Sequence, residues 1–145
     1  MTAMSVRQQA AQACVDRFAG KPFAWGSADC GKLVNHNLHK LGIKVGLLKG
    51  ATYKSEFGAI RHLKKHGLSS MLEAMDATEC SRIGAASALV GDVIALPGEG
   101  TVWDAALTVA LGNGRALGFQ DGICHVLQPD LTHAITAWRC NPCRK

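Results

Sequence analysis

The chain has 145 residues, of which 48% are hydrophobic, and a net charge of +5 from sixteen Lys and Arg against eleven Asp and Glu. This length fits one domain with a substantial core, and no stretch approaches the ~18 consecutive apolar residues that indicate a membrane span. The positive charge is modest and has no Lys- and Arg-rich run interleaved with aromatic residues, which argues against a nucleic-acid partner.

Six cysteines are spread along the chain. The first twelve residues lack the apolar core of a signal peptide, so we expect the protein to be made in a cytoplasm. Cytoplasmic thiols stay reduced, which predicts free thiols rather than a disulfide framework. The cysteines are Cys14, Cys30, Cys80, Cys124, Cys140 and Cys143.

Apolar residues at helical spacing predict four helices in the first half of the chain. The first covers residues 4–19, the second begins at Cys30 and ends before Gly42, and two shorter helices follow at 55–66 and 69–76. The segment between the second and third helices is punctuated by glycine and is predicted to be a loop.

After Gly91 the hydrophobic pattern changes to alternation, which is typical of strands. A Gly-Asn-Gly turn at 112–114 predicts a hairpin between the second and third strands. Helices followed by antiparallel strands predict an α+β fold with about five strands. These strands are placed at 92–96, 103–111, 115–119, 123–127 and 134–139.

Cys30 is placed at the first turn of the second predicted helix. The helix N-terminus favours a thiolate, which is the nucleophilic form of cysteine. Cys30 also begins the apolar stripe of Leu33, Val34 and Leu38, so a buried core position is the alternative. Trp25, just before this helix, is expected to pack behind it rather than to bind a substrate.

The segment around Cys30 has a recognisable pattern. "PFAWGSADCGKLV" (22–34) resembles the nucleophile segment of the NlpC-type cell-wall peptidases, which are papain-like cysteine hydrolases. The later "GDVIAL" (91–96) and "ALTVALGNGRAL" (106–117) resemble the next two strands and hairpin of that family. Between them, "ATYKSEFGAIRHLKKHG" (51–67) is similar to a phage and prophage tail family with this fold.

This resemblance implies an NlpC-type fold in one domain, residues 1–139, followed by a short C-terminal tail, residues 140–145. It also implies synthesis in a bacterial host cytoplasm and assembly into a virion tail, with other tail-tip or hub proteins as partners. Peptidoglycan peptide would be a partner only if the peptidase chemistry is retained.

The resemblance fails at the catalytic base. In the peptidases a His stands at the start of the strand that leads to the "LGNG" turn, and alignment on that turn places Ala106 there. The third polar residue falls near Gly118. Neither residue can exchange a side-chain proton, and such small residues would instead let a helix pack closely on the sheet.

Other residues could replace the missing base. His36 and His39 lie on the Cys30 helix but point ~180–240° away from the thiol at ~100° per residue. Asp104 lies near the lost His, although a carboxylate with a pKa of ~4 is a poor base for a thiol. His125, on a later strand, is the best remaining candidate.

Two functions therefore stay open. The favoured one is a structural component of a phage or prophage tail tip or baseplate, built on a peptidase fold whose chemistry is largely lost. The alternative is an active cysteine peptidase or amidase that opens cell-wall peptide during DNA entry.

The "CNPC" motif places two thiols, Cys140 and Cys143, at a spacing that can chelate zinc or an iron–sulfur cluster. A tetrahedral site needs four ligands, and no second motif of this kind supplies them. We expect no cofactor, and the alternative is a metal completed by ligands elsewhere in the chain or on a partner protein.

Overall fold

The computed structural model describes residues 2–44, 53–98 and 105–142. All four predicted helices are present, with ends within two residues of the prediction. They are α1 (Ala3–Phe18), α2 (Cys30–Lys40), α3 (Glu56–Lys65) and α4 (Met71–Asp76).

Each helix begins at a side chain that caps it. Thr2, Asp29, Ser55 and Ser70 precede the four helices, and each accepts a hydrogen bond from the backbone N–H three residues further on. Such caps satisfy N–H groups that have no partner within the helix. They explain why these helices start where they do.

A six-stranded antiparallel sheet follows the helices, so the prediction of about five strands was wrong by one. The additional strand has three mostly exposed residues and no hydrophobic alternation that could reveal it in the sequence. The order across the sheet is β1-β6-β2-β3-β4-β5. The strands are β1 (Ser81–Ile83), β2 (Val93–Pro97), β3 (Ala105–Gly112), β4 (Arg115–Gln120), β5 (Ile123–Leu127) and β6 (Thr136–Arg139).

The predicted hairpin joins β3 to β4. Asn113 has a φ of 55° and its flanking residues Gly112 and Gly114 have φ values of 89° and 74°. Glycine tolerates this left-handed region and asparagine adopts it more readily than other residues, which is why the motif turns the chain here.

The outer edge of β5 is covered by the chain that follows α1. Gly20 N–H donates to the Cys124 carbonyl (2.8 Å), and Cys124 N–H donates back to the Lys21 carbonyl (2.9 Å). Phe23 N–H then donates to the Gly122 carbonyl (2.7 Å). A short extended segment therefore occupies the edge beside β5.

The main core lies between the helices and the bulky face of the sheet. Leu33 and Leu38 of α2 meet Leu107 and Val109 of β3, and Trp138 of β6 is fully buried in the same layer. The other face of β3 carries the small residues Ala106, Thr108 and Ala110. The expectation that a helix packs on this face was wrong. That face is covered by single 3₁₀ turns at residues 85–87 and 131–133, which pack a smaller cluster.

A buried ion pair joins the first helix to the sheet. Arg7 of α1 and Asp92, just before β2, are 3% and 0% exposed, and Arg7 Nη1 lies 2.7 Å from Asp92 Oδ1. Asp92 Oδ1 also accepts the Cys140 N–H, and Oδ2 accepts the Leu89 N–H, both at 2.8 Å. Arg7 donates further to the Val90 carbonyl at 3.0 Å.

The same turn is held from α2. Asn37 Nδ2 donates to the Gly91 carbonyl at 2.8 Å. Gly91 has a φ of +87°, and a Cβ at this position would lie 3.4 Å from Arg7. The "GDV" sequence (91–93) therefore combines a backbone turn at Gly91 with the anchoring carboxylate of Asp92. The anchoring role of Asp92 could not be predicted from the sequence pattern.

Replacement of Arg7 by Met should lower the free energy of unfolding by about 3 kcal/mol, because it removes the buried counter-charge of Asp92 and leaves only the partly exposed Arg139, whose Nε lies 3.1 Å from Asp92 Oδ2. Urea denaturation measures this loss. Arg17→Met is the matched control, since Arg17 is exposed on the same helix, and it should cost less than about 1 kcal/mol. Similar losses in the two variants would contradict the role of the buried pair.

Candidate functional site

A tight turn and a helix cap fix the position of Cys30. Gly26 has a φ of +83°, and a short backbone bridge joins Ala24 to Ala28. Asp29 then accepts the Gly26 N–H on Oδ2 and the Lys32 N–H on Oδ1, each at 2.8 Å. The first residue of α2 is therefore held in place by the capping carboxylate of Asp29.

Tyr53 completes the surroundings of Asp29. Its hydroxyl donates to Asp29 Oδ2 at 2.9 Å, and the Asp29 side chain is fully buried. Burial raises the pKa of Tyr53 well above its usual range, and the neighbouring Asp29 carboxylate adds to this effect. Tyr53 therefore remains a hydrogen-bond donor, and Asp29 is engaged by three donors.

The thiol of Cys30 is protonated at neutral pH. Burial, followed by the charge of Asp29, raises its pKa to about 12. The backbone N–H groups of Leu107, Cys30 and Gly31 oppose this shift but do not outweigh it. The expected activation by the helix N-terminus is therefore present locally but overcome by burial, because Cys30 is only 7% exposed.

An apolar groove of about 460 Å³ opens beside Cys30. Its aromatic wall is formed by Phe23, Trp25 and Phe119, with Phe23 packed edge-on against both of the others at ring-centroid distances of 4.9 and 5.4 Å. Trp25 packs against the core cluster that contains Cys30, and it also lines the groove. Asp121 is the one carboxylate among the described residues that line it.

Ala106 and Gly118, which the alignment places at the catalytic positions of the peptidases, have different surroundings in the structure. Ala106 is among the residues that line the groove, but its neighbours Ala105 and Leu107 belong to the core cluster that contains Cys30. Because adjacent strand residues point to opposite faces, the Ala106 side chain points away from Cys30, and this geometry does not support its alignment with the base position. Gly118 pairs with His125 across β4 and β5, and a Cβ there would lie 2.6 Å from Thr108 Cγ2. A polar side chain at position 118 would require Thr108 to move.

His125 is not brought to Cys30. Its neighbour Cys124 packs into the core beneath the helices, and adjacent strand residues point to opposite faces. His125 is exposed and lines a separate groove of about 400 Å³ with Leu96 and Gln128. Its assignment as the replacement base is not supported by this geometry.

The remaining histidines also lie elsewhere. His36 packs edge-on against Phe18 at 5.8 Å, and His133 pairs with Asp130 at 2.7 Å in an exposed turn. His62 of α3 lies 6.5 Å, ring to ring, from Tyr53 but does not line the groove. Asp104, the other candidate base, lies outside the described residues.

No group of three or more His, Cys, Asp or Glu side chains that could hold a metal occurs in residues 2–44, 53–98 and 105–142. Cys140 is buried at the end of β6, and Cys143 lies beyond the last described residue. The five cysteines within the described ranges are free thiols.

The comparisons with known proteins give one match. Residues 3–140 match the model of a family described as a domain of unknown function (DUF6950). The chain belongs to this family. No curated protein and no solved structure matches it. Across the described residues, helices long and apolar enough to cross a bilayer are absent.

Several residues of the site were missed by sequence reasoning. Tyr53 and Phe119 are distant in sequence from Cys30, and no spacing rule links them to it. Phe23 was within the quoted motif, but only the fold shows that it packs edge-on against Trp25 on the groove wall. The aromatic-Trp-Gly pattern before Cys30 was the one sequence signal that could have pointed to an aromatic wall at this site.

The reaction of Cys30 with iodoacetamide should report its raised pKa. In the folded protein the rate should rise about tenfold per pH unit between pH 8 and pH 10, because thiolate is scarce throughout this range. Peptide mass spectrometry separates Cys30 from the other thiols. The urea-unfolded chain is the control and should level off near pH ~9. A plateau below pH 8 in the folded protein would contradict the assignment.

Tyr53 is the only tyrosine in the chain, so its ionisation can be followed by ultraviolet absorbance. The folded protein should show no phenolate near pH ~10, where the unfolded chain titrates. Because the folded state retains this proton, the stability that Tyr53 contributes is complete below pH ~10 and is lost as the pH rises further. Tyr53→Phe should remove this dependence and lower stability at pH 7 by about 1.5–3 kcal/mol. A normal phenolate titration in the folded protein would exclude the Tyr53–Asp29 hydrogen bond.

Proposed function

We propose that this chain is a structural component of a phage or prophage tail tip, built on a degenerate NlpC-type, papain-like cysteine peptidase fold. The observation that carries the loss of activity is the state of Cys30. It occupies the nucleophile position at a helix start, yet its thiol is buried and protonated, and no histidine is among the described residues that line its groove.

Two requirements of cysteine hydrolysis are missing. With a pKa of about 12, on the order of one Cys30 thiol in 10⁵ is ionised at pH 7. Besides Cys30, Asp121 is the one titratable side chain among the described residues that line the groove, and a carboxylate is a poor base for taking the thiol proton and later protonating the leaving amine. Ordinary peptidase turnover is therefore not expected.

The arrangement of elements is consistent with the proposed fold. A helix that begins with cysteine packs against a central strand of an antiparallel sheet, and Cys30 and Leu107 of that strand belong to the same core cluster. The tail-tip role itself comes from the sequence resemblance between residues 22 and 119. The aromatic groove would then serve as a recess for an apolar side chain of a neighbouring tail protein.

An active peptidase or amidase remains the alternative. The observation that favours it is the set of three backbone N–H groups around the Cys30 sulfur, since such groups stabilise a thiolate. This alternative requires a proton acceptor that the described part of the groove does not supply.

The first test incubates the full-length protein with peptidoglycan fragments beside a Cys30→Ala variant. We expect no cleavage above background from either protein, as judged by chromatography and mass spectrometry of the fragments. Cleavage that disappears in Cys30→Ala would overturn the inactive assignment and support the peptidase.

The second test deletes the coding region in the phage or prophage that carries it and complements the deletion. Wild type and Cys30→Ala should both restore tails and infectivity, whereas the uncomplemented deletion should give defective tails by electron microscopy. Complete but non-infectious particles with Cys30→Ala would support the peptidase. Normal, infectious tails without the chain would refute the structural role.

A further inference from the structure

Two of the remaining cysteines face each other at one end of the sheet. β1 and β6 pair with Ser81 opposite Arg139 and Arg82 opposite Trp138. One residue further along both strands, this register places Cys80 opposite Cys140. Both residues are part of the main core, although they are sixty positions apart in the chain.

The backbone bonding at these residues defines the type of pair. Cys80 N–H donates to Thr78 Oγ1 at 3.2 Å, and Cys140 N–H donates to Asp92 Oδ1 at 2.8 Å. Because neither N–H is used between the two strands, Cys80 and Cys140 form a non-hydrogen-bonded pair. Such pairs place the Cα atoms ~4.5 Å apart, within the ~4.4–6.8 Å that a disulfide can span.

The two thiols also affect each other's pKa. Their interaction lowers the pKa of Cys80 to about 7 and raises the pKa of Cys140, while the Cys140 Sγ donates to the Trp138 carbonyl at 3.5 Å. Burial and the charges of Glu79 and Asp92 act against the shift at Cys80. Cys80 therefore has much more thiolate at neutral pH than Cys30 has.

Access to the pair is unequal. A recess of about 240 Å³ is lined by Cys80, Glu79, Arg139 and Asn141, among others, but not by Cys140. Cys80 is 8% exposed and Cys140 is fully buried. A small reagent can therefore reach Cys80 first, with Cys140 behind it as the second thiol.

We propose that Cys80 and Cys140 form a redox-active dithiol that exchanges with low-molecular-weight disulfides such as glutathione disulfide. The Cys80 thiolate attacks the disulfide, forms a mixed disulfide and releases one thiolate, which takes up a proton. Cys140 loses its proton and attacks the Cys80 sulfur, which forms the protein disulfide and releases the second thiol. One disulfide is thus reduced to two thiols as one is formed in the protein, and no further oxidant is needed.

This proposal does not depend on the proposed tail function or on Cys30. It replaces the metal hypothesis for Cys140 with a different chemistry. It also differs from a Cys140–Cys143 pairing within the "CNPC" motif, which is the competing product that an experiment must separate.

The test incubates reduced full-length protein with glutathione disulfide at pH 7.5, blocks the remaining thiols at acidic pH and maps the peptides without reduction. We expect the intact mass to fall by about 2 Da, as two thiols become one disulfide, and a crosslink between the peptides that contain Cys80 and Cys140. Cys143→Ser should form the same crosslink at the wild-type rate. Cys80→Ser should lose it.

Cys124→Ser is the matched control, because Cys124 is a buried cysteine distant from this pair, and it should keep the crosslink. A Cys140–Cys143 disulfide, a lasting glutathione adduct at Cys80, or no reaction would each overturn the proposal. The wild-type peptide map decides among these outcomes without relying on the folding of any variant.

Discussion

The buried pair between Arg7 and Asp92 is the interaction on which the rest of the structure depends. Two charges removed from water destabilise a fold unless their remaining hydrogen-bonding capacity is also satisfied. Here the carboxylate accepts the backbone N–H groups of Leu89, before β2, and Cys140, after β6, in addition to binding the guanidinium. One side chain thereby fixes α1, the start of β2 and the end of β6 relative to each other.

Asp29, the residue that caps the start of α2, is a second buried carboxylate whose hydrogen-bonding capacity is satisfied. It is fully buried, and its oxygens accept two backbone N–H groups and the Tyr53 hydroxyl. A carboxylate in this position holds the helix start in place, but its negative charge also disfavours a thiolate at the next residue. The feature that positions Cys30 so well is therefore one of the reasons why Cys30 is chemically quiet.

The helices and most of the strands could be predicted from the sequence, because hydrophobic periodicity and capping residues are local features. It did not reveal β1, whose three residues owe their strand conformation to pairing with β6. Within the site, Cys30 was placed correctly at the start of α2, whereas neither Ala106 nor His125 presents its side chain to Cys30. The face on which a strand residue lies depends on register, and register is set by partners that are distant in the chain.

The segment that covers β5 has a consequence for assembly. A sheet edge with free N–H and C=O groups invites another strand to add to it, but Gly20, Lys21 and Phe23 already occupy that edge. The opposite edge is β1, only three residues long. Strand addition is thus blocked beside residues 122–124 at one edge and limited to three residues at the other, so that any contact with another protein would depend mainly on side chains of the faces and grooves.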